Sequence, residues 1–362
     1  MSKDKIFSVA LVGCGAVSKL YYGPALQELE RHKLLQVKAL FDPDFEKLSV
    51  IQKNFPNAVS IKELDELSPE KIDIAIIASP PQFHSQQTIQ LLRSGLSVLC
   101  EKPMSTTVTE AHAMLQAASN ANGLLAIGLF RRFLPATQTI QKILSLNLLG
   151  DIQSFSFSEG GNFKWPVQSP AYFKKENARG GVLLDVGVHL LDLMVWWFGN
   201  PTEVAYEDDA MGGIEVNCRL QCRFEQGITG EVRLSRDCVL QNRYLIIGDK
   251  GWLTWNVNDA PNQIQLGFKD SAFSLDAQVH DVDPRKPFIP GEQSYNFEQS
   301  FTLQICNLVA AIEGKESLMV PGEEAIKSLK IIESCYQHRT LMPMPWLNEL
   351  ELKTAYQLNA QL

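Results

Sequence analysis

The first 129 residues alternate short, almost wholly apolar runs with longer amphipathic stretches. A short apolar run without alternation is typical of a parallel strand that is covered on both faces, and the stretches between the runs suit helices. The pattern therefore predicts an α/β fold with a doubly wound parallel sheet in residues 1–129. The predicted strands are Ile6–Val12, Leu34–Phe41, Ile72–Ala78, Leu96–Cys100 and Leu124–Leu129, and the predicted helices are Lys19–Arg31, Glu46–Asn54, Phe83–Ser94 and Val108–Asn120.

After residue 129 the pattern changes to an alternation of apolar and polar side chains. Val216–Phe224 alternates strictly, Gln226-Gly227 is a turn, and Ile228–Arg236 follows as a hairpin partner. We therefore expect residues 130–362 to form an α+β domain with a large, mostly antiparallel open sheet. The polar face of this sheet is either solvated or the interface of a homodimer or homotetramer. Further predicted strands are Ile152–Ser158, Glu203–Tyr206, Tyr244–Ile247 and Trp252–Val257.

One helix of the second domain is predicted to be buried although it carries charged residues. The segment Val182–Phe198 is apolar on nearly all sides, and offsets of four and three place Asp185, His189 and Asp192 in one stripe. Burying an acid and an imidazole is costly unless both have partners. The stripe is therefore either an acid/base site that faces a cleft or a satisfied core histidine with a capping aspartate.

A glycine turn stands between the first predicted strand and the first predicted helix. In this order, backbone N–H groups at the helix N-terminus receive the pyrophosphate of a dinucleotide. Two glycines allow the tight turn, whereas a serine stands where the third glycine of the usual motif would be. The pattern favours a Rossmann domain whose cofactor is contacted by Gly13, Gly15, Ala16, Val17 and Ser18.

The second predicted strand ends directly on an acid, Asp42. A carboxylate at this place accepts both ribose hydroxyls of NAD and repels the 2′-phosphate of NADP. The sequence therefore favours NAD as cofactor over NADP. The alternative is that Asp42 is a turn residue within Asp-Pro-Asp.

The N-terminus also has a rival interpretation. Lys3 and Lys5 precede an apolar stretch, and Leu11-Val12-Gly13-Cys14 resembles the cleavage site of a bacterial lipoprotein. The apolar core is at the lower limit for a signal peptide, and cleavage there would delete the first predicted strand. No other stretch of the sequence is apolar enough to span a bilayer. We therefore expect a cytoplasmic protein with no membrane partner.

Charge and cysteine content narrow the function classes. The net charge of −8 disfavours nonspecific binding to nucleic acid. Seven cysteines, an odd number without a Cys-x-x-Cys cluster, favour reduced thiols over disulfides or a zinc site. The expected partner is a small molecule, and no metal is expected.

Polar residues fall at the carboxyl ends of the predicted parallel strands, where sheets of this kind bind ligands. They are Ser79, Pro80, Glu101, Lys102 and Arg131. Of these, Ser79 and Pro80 are expected beside the cofactor. Shortly after them, His84 either lines the cofactor or starts the next helix.

These motifs together resemble the Gfo/Idh/MocA oxidoreductases, the glucose-fructose oxidoreductase and inositol dehydrogenase family. The resemblance rests on the order of the motifs and covers nearly the whole chain. The motifs are the Gly13-x-Gly15 turn, Asp42, Glu101-Lys102-Pro103, Gly180-Gly181-x-x-x-Asp185-x-Gly187-x-His189 and Phe198-Gly199-x-Pro201.

The resemblance implies roles for individual residues. Lys102 would hydrogen-bond the reacting hydroxyl, His189 would accept its proton, and Asp185 would orient or charge-balance the pair. Such a base typically contributes ~10²–10⁴ in rate. The resemblance also implies that Glu101 approaches the nicotinamide ribose and that the Lys102–Pro103 peptide is cis.

Residues around the second domain's helix are expected to frame the substrate. They are Arg131, Trp165, Tyr172 and Arg179. Trp165 could stack on a sugar ring, and Arg179 could bind a substrate carboxylate or phosphate. For each of them, loop packing or surface exposure is the alternative.

The resemblance implies an NAD-dependent oxidoreductase that transfers a hydride between a secondary alcohol of a sugar, sugar derivative or cyclitol and the nicotinamide. Two alternatives stay open. One is a glycoside hydrolase that retains NAD and acts by transient oxidation, and the other is a non-catalytic NAD-binding regulator.

Overall fold

A computed structural model describes residues 5–166, 174–257, 263–269, 274–278 and 297–359. Contacts between Cα atoms divide the chain into two compact units. The first unit contains the chain up to Phe130 together with Phe297–Leu329, and the second contains most of the remainder. A single boundary between residues 129 and 130 therefore assigns Phe297–Leu329 to the other domain than these contacts do.

The first unit contains a parallel sheet, as the apolar runs predict. Its described strands are β1 (Phe7–Val12), β2 (Leu35–Phe41), β3 (Val59–Ser60), β4 (Ile74–Ile77), β5 (Ser97–Glu101) and β6 (Leu125–Gly128), in the order β3-β2-β1-β4-β5-β6. Strand β1 pairs with both β2 and β4. Its residues form part of the core, so the apolar stretch near the N-terminus is the centre of this sheet.

Helices cover this sheet, and one of them comes from far along the chain. Those of the first third are α1 (Gly23–Arg31), which follows a π-helical turn Ser18–Tyr22, α2 (Phe45–Gln52), α3 (His84–Arg93) and α4 (Val108–Ser119). In the second unit lie α5 (Pro135–Ser145), α6 (Lys175–Ala178) and α7 (Val188–Phe198). A later helix, α8 (Gln299–Ile312), returns to the first unit, where Phe301 stacks on Tyr21 with ring centroids 4.7 Å apart. The sequence pattern did not predict α8.

The second unit contains a mixed, mostly antiparallel sheet. Its described strands are β7 (Ile152–Gly160), β8 (Glu203–Asp208), β9 (Asn217–Arg223), β10 (Thr229–Ser235), β11 (Arg243–Gly248), β12 (Gly251–Asn256), β13 (Gln263–Phe268), β14 (Ser274–Gln278) and β15 (Thr340–Leu341). Their order is β14-β13-β12-β11-β7-β10-β9-β8-β15, in which β7 and β10, and also β8 and β15, pair in parallel. The hairpin predicted at Gln226-Gly227 joins β9 to β10.

Aromatic side chains hold α7 against this sheet. Phe198 stacks on Phe155 of β7 at 5.0 Å, and Trp197 meets Phe157 edge-on at 5.8 Å. Each such pair contributes about 0.5–1.5 kcal/mol beyond the area it buries. The helix is therefore fixed by its apolar side chains. Two further helices, α9 (Gly322–Gln337) and α10 (Glu349–Asn359), follow near the end of the chain.

The polar stripe predicted along the segment Val182–Phe198 is divided in the structure. Residues Leu183–Gly187 form a π-helical turn before α7 begins, so the spacing of a single regular helix does not hold. Asp192 lies inside the second unit, where its carboxylate accepts hydrogen bonds from Arg132 Nε at 2.9 Å and Arg132 Nη2 at 2.6 Å. Both side chains are 2% exposed. Asp192 is thus a partner in an internal ion pair, and we assign it no acid/base role.

Two searches of the described residues gave no hit. None of the helices there combines the length and the apolar character that a membrane span requires. The same residues contain no group of three or more histidine, cysteine or acidic side chains arranged to hold a metal ion.

Replacing Asp192 by alanine should lower the free energy of unfolding by about 3–5 kcal/mol, because it leaves the buried Arg132 guanidinium without its countercharge. Urea unfolding monitored by circular dichroism measures the change. The double variant Arg132→Met with Asp192→Leu removes both charges and should recover much of the loss. A cost below about 1 kcal/mol for Asp192→Ala would contradict an internal ion pair.

Candidate active site

The glycine turn after β1 leaves no room for a side chain. Gly13 has φ +92°, and a Cβ there would lie 2.5 Å from the backbone nitrogen of Ser79. Ser18, which replaces the third glycine, is fully buried and donates a hydrogen bond from Oγ to the Gly13 carbonyl at 2.5 Å. Its hydroxyl therefore stabilises the turn. Ala16 and Val17, both half-buried, open the helical turn at this point.

Asp42 is fixed at the carboxyl end of β2, beside the glycine turn. Its carboxylate accepts the N–H of Cys14 at 2.7 Å and the N–H of Asp44 at 2.8 Å. Burial and the Asp42 charge raise the pKa of the Cys14 thiol to about 12, so this cysteine stays protonated. A fixed carboxylate next to a glycine-only turn fits the adenosine ribose and the pyrophosphate of a dinucleotide.

Glu101, the last residue of β5, is buried within a hydrogen-bond network of the first unit. Tyr22 Oη donates to Glu101 Oε1 at 2.7 Å and accepts from Gln304 Nε2 at 3.0 Å. The N–H of Lys102 donates to Glu101 Oε2 at 3.0 Å. Burial raises the pKa of Glu101, while the Tyr22 hydrogen bond and the nearby Lys102 lower it. Tyr22 and Gln304 thus hold the carboxylate that precedes Lys102.

The loop after β5 has the backbone form that the sequence resemblance implied. The Lys102–Pro103 peptide is cis, which confirms that expectation. His84 is the first residue of α3, and its ring contacts two carbonyl oxygens at 2.8 Å, that of Pro103 through Nδ1 and that of Ser79 through Nε2. His84 therefore ties the loop after β4 to the loop that carries Lys102, whose side chain is half-buried.

In the second unit, Asp185 lies on the π-helical turn and forms an ion pair. Arg236 Nη2 donates to Asp185 Oδ2 at 2.6 Å. The Arg236 guanidinium also lies over the ring of Phe163 at 5.1 Å from its centroid. Asp185 keeps 30% of its side chain exposed, whereas His189, four residues later on α7, is buried. The turn thus carries a charge-balanced carboxylate and an imidazole close together in sequence.

The residues expected to frame the substrate differ in their surroundings. Arg131 is buried, its guanidinium pairs with Glu159 and its Nη1 donates to Tyr244 Oη at 2.9 Å, so protein groups occupy it and we no longer assign it to substrate. Trp165 is half-buried. Arg179 is exposed and has a left-handed backbone, with φ 55°. Tyr172 lies outside the described residues.

The sequence gave no signal for the residues that hold these groups. Arg236 stands 51 positions after Asp185, and Glu215 and Tyr22 are similarly remote from the motifs that they contact. Each lies on a different element from its partner, so no spacing rule links them. The one indication in the sequence is that each motif contains a charged side chain in an apolar segment, and such a side chain needs a partner.

Comparisons with known proteins agree with the fold and the motifs. Residues 7–129 match the model of the oxidoreductase family with an NAD-binding Rossmann fold, and residues 137–254 match the GFO/IDH/MocA C-terminal domain. The chain is similar to scyllo-inositol 2-dehydrogenase (NADP(+)) IolW of Bacillus subtilis, with 25% identity over 94% of this chain and 97% of that protein.

Two solved structures share the fold. A levoglucosan dehydrogenase in complex with NADH and levoglucosan matches with a TM-score of 0.81 and 20% identity, covering 92% of this chain and 97% of that one. The aldose-aldose oxidoreductase of Caulobacter crescentus in complex with glycerol has a TM-score of 0.77 and 23% identity, with the same shares covered.

The pH dependence of stability should report on His84. Burial lowers the pKa of His84 below its ordinary value of 6.5. Below about pH 6.5 the unfolded chain therefore binds a proton that the folded chain does not, and stability falls as the pH falls. His84→Gln should reduce the loss of unfolding free energy between about pH 7.5 and pH 5, measured by urea titration at each pH. His32→Gln, at an exposed position, is the matched control and should keep the wild-type dependence. An unchanged dependence in His84→Gln would show that other groups cause it.

Proposed function

The chain belongs to the Gfo/Idh/MocA oxidoreductase family, and we propose that it transfers a hydride between a secondary alcohol of a sugar, sugar derivative or cyclitol and NAD. Both domains match this family, which supports an enzyme that acts on CH–OH groups. The relative named above is a cyclitol dehydrogenase, and one structural neighbour binds the sugar derivative levoglucosan together with NADH. When bound, NAD supplies a nicotinamide ring that accepts or returns the hydride.

The ion pair between Asp185 and Arg236 carries the assignment of roles. A carboxylate held 2.6 Å from a guanidinium is charge-balanced and oriented. We therefore assign Asp185 to orientation and charge balance. His189, on the same segment, is the group that accepts the hydroxyl proton while the hydride leaves the carbon.

Lys102 completes the proposed set of catalytic groups. An ammonium group offers three donors and stabilises the negative charge that develops on the reacting oxygen. The hydrogen bonds that fix Glu101 and the loop around Pro103 support a defined position for Lys102. We assign Lys102 to hydrogen-bonding the reacting hydroxyl.

We assign NAD rather than NADP on account of Asp42. The two backbone N–H groups on its carboxylate support a fixed anion at this place, which would repel a 2′-phosphate. The Bacillus subtilis relative is named for NADP, whereas the levoglucosan dehydrogenase complex contains NADH, so the family includes both cofactors. The proposal for this chain therefore depends on the charge of Asp42.

We also propose association into a homodimer or homotetramer through the polar face of the second sheet. On β9, Cys218 and Leu220 are buried, whereas Arg219 is partly exposed and pairs across the face with Glu231 and Glu207. Such a face can pair with a second copy of itself. Analytical ultracentrifugation tests this, and a monomer at micromolar concentration would contradict it.

The direct test is an assay of reduced nicotinamide formation, with NAD and NADP in separate reactions, against inositols, sugars, sugar acids and nucleotide sugars. NADH that accumulates in proportion to product supports the dehydrogenase. Cleavage of a chromogenic glycoside without net reduction of the cofactor would indicate the NAD-retaining hydrolase instead.

Replacing His189 by alanine should lower kcat by ~10²–10⁴, because the proton acceptor is lost. The Kd for NAD, measured by fluorescence titration, should stay nearly unchanged. His338→Ala, at an exposed position of the same unit, is the control and should leave both constants alone. Wild-type turnover in His189→Ala would exclude this residue as the base.

Replacing Asp42 by asparagine should move cofactor preference toward NADP. The amide keeps a hydrogen-bond acceptor but loses the charge that repels a 2′-phosphate. The ratio of kcat/KM for NADP to that for NAD should rise by about tenfold or more, which corresponds to ~1.4 kcal/mol. Asp44→Asn changes a neighbouring acid that caps α2 and should not shift this ratio. An unchanged ratio in Asp42→Asn would refute the assignment.

A further inference from the structure

A buried carboxyl group lies against the start of the segment that carries Asp185 and His189. Glu215 is 1% exposed, and its Oε1 accepts the N–H groups of Gly181 and Leu183, each at 2.9 Å. Between these two contacts, the N–H of Val182 donates to the Glu215 backbone carbonyl at 3.0 Å. One residue therefore binds three successive N–H groups at the end of a helix, where such groups have no acceptor within the helix.

Tyr336 closes the contact from the other side. Its Oη donates to the same oxygen of Glu215 at 2.8 Å. A Cβ at Gly180 would lie 2.4 Å from Tyr336 Oη, and a Cβ at Gly181 would lie 1.9 Å from the Glu215 carbonyl oxygen. The two glycines thus let the chain approach so closely that no side chain fits between.

The same stretch of backbone also supports the partner of Asp185. The N–H of Arg236 donates to the carbonyl of Val216, the residue after Glu215, at 3.0 Å. The N–H of Asp185 donates to the Gly181 carbonyl at 3.1 Å, and its carboxylate meets Arg236. The turn that carries Asp185 is therefore held at both ends by two adjacent residues of one strand extension.

We propose that Glu215, together with Tyr336, is a positioning residue that fixes the place of Asp185 and His189 relative to the reacting hydroxyl. This inference rests on the proposed dehydrogenase function. Glu215 acts through the backbone of residues 181–183 and does not touch the substrate. Displacing a catalytic group by about 1 Å can cost ~10² in rate, so loss of this anchor lowers turnover.

The charge at the helix end adds to the argument. A negative or strongly accepting group at a helix N-terminus is stabilised by the helix dipole and by the N–H groups themselves. Burial raises the pKa of Glu215, whereas the hydrogen bonds from Tyr336 and Leu183 lower it. A glutamine keeps the accepting oxygen without the charge, so Glu215→Gln separates geometry from charge.

The test compares Glu215→Leu, Glu215→Gln and Tyr336→Phe. Glu215→Leu removes all three side-chain hydrogen bonds and should lower kcat by about 10²-fold, while KM changes less and the Kd for NAD stays within about twofold. Glu215→Gln should retain most of the turnover. Tyr336→Phe keeps the carboxylate and the fold, and should lower kcat by a smaller factor.

Amide hydrogen exchange gives a readout that does not depend on activity. Residues 181–189 should exchange faster in Glu215→Leu than in Glu215→Gln. Asp208→Asn is the matched control, because Asp208 is a fully buried acid of the same unit that pairs with Arg339 and not with this segment. It should lower the melting temperature without lowering kcat or loosening residues 181–189.

Each outcome decides the proposal. Faster exchange at residues 181–189 with unchanged kcat would overturn the positioning role, and unchanged exchange in Glu215→Leu would overturn the anchor itself. If the wild-type protein oxidised no alcohol in the panel, the proposed function would fail, and exchange would still establish whether Glu215 anchors the segment. If Glu215→Leu does not fold, the smaller effect in Tyr336→Phe decides, and unchanged kcat and exchange in that variant would overturn the proposal.

Discussion

The second unit depends on one constraint: an apolar segment buried against a sheet carries charged groups, and each needs a partner. Water would otherwise solvate these groups, and losing it without compensation costs several kcal/mol. The structure supplies Arg132 for Asp192, Arg236 for Asp185, and the N–H groups at the segment's start for Glu215. These contacts fix the segment along its axis and in rotation, which stacking of Phe198 and Trp197 alone does not do.

The first unit meets the same constraint with neutral partners. Glu101 is buried at the end of β5, and its partners are the Tyr22 hydroxyl and a backbone N–H. His84 meets two carbonyl oxygens. A neutral imidazole has a single N–H, so only one of these contacts is a full hydrogen bond, and burial opposes the protonation that would complete the second. These groups hold the loops at the sheet edge without adding net charge to them.

The sequence determined the repeating parts of the fold and the motifs, and it missed the partners. Apolar runs located β1, β2, β4, β5 and β6 within one or two residues, because a strand buried on both faces leaves a continuous signal. The return of α8 to the first unit has no local signature, since it depends on Phe301 meeting Tyr21 across most of the chain. The π-helical turn was also missed, because its cause is the distant anchor at Glu215 and not the composition of Leu183–Gly187.

Asp185 and Asp192 show why spacing alone could not assign the site. Both belong to the stripe that the sequence predicts, and both are paired with an arginine in the structure. They differ in exposure, since the Asp192 side chain is 2% exposed and that of Asp185 is 30% exposed. A carboxylate sealed inside the protein can only stabilise its arginine, whereas one that keeps an open side can also act on a neighbouring group or ligand. Arg236 leaves that side open because it approaches Asp185 through a single nitrogen, Nη2, whereas Arg132 binds both oxygens of Asp192. The geometry of the arginine partner therefore separates the carboxylate available for chemistry from the one committed to stability.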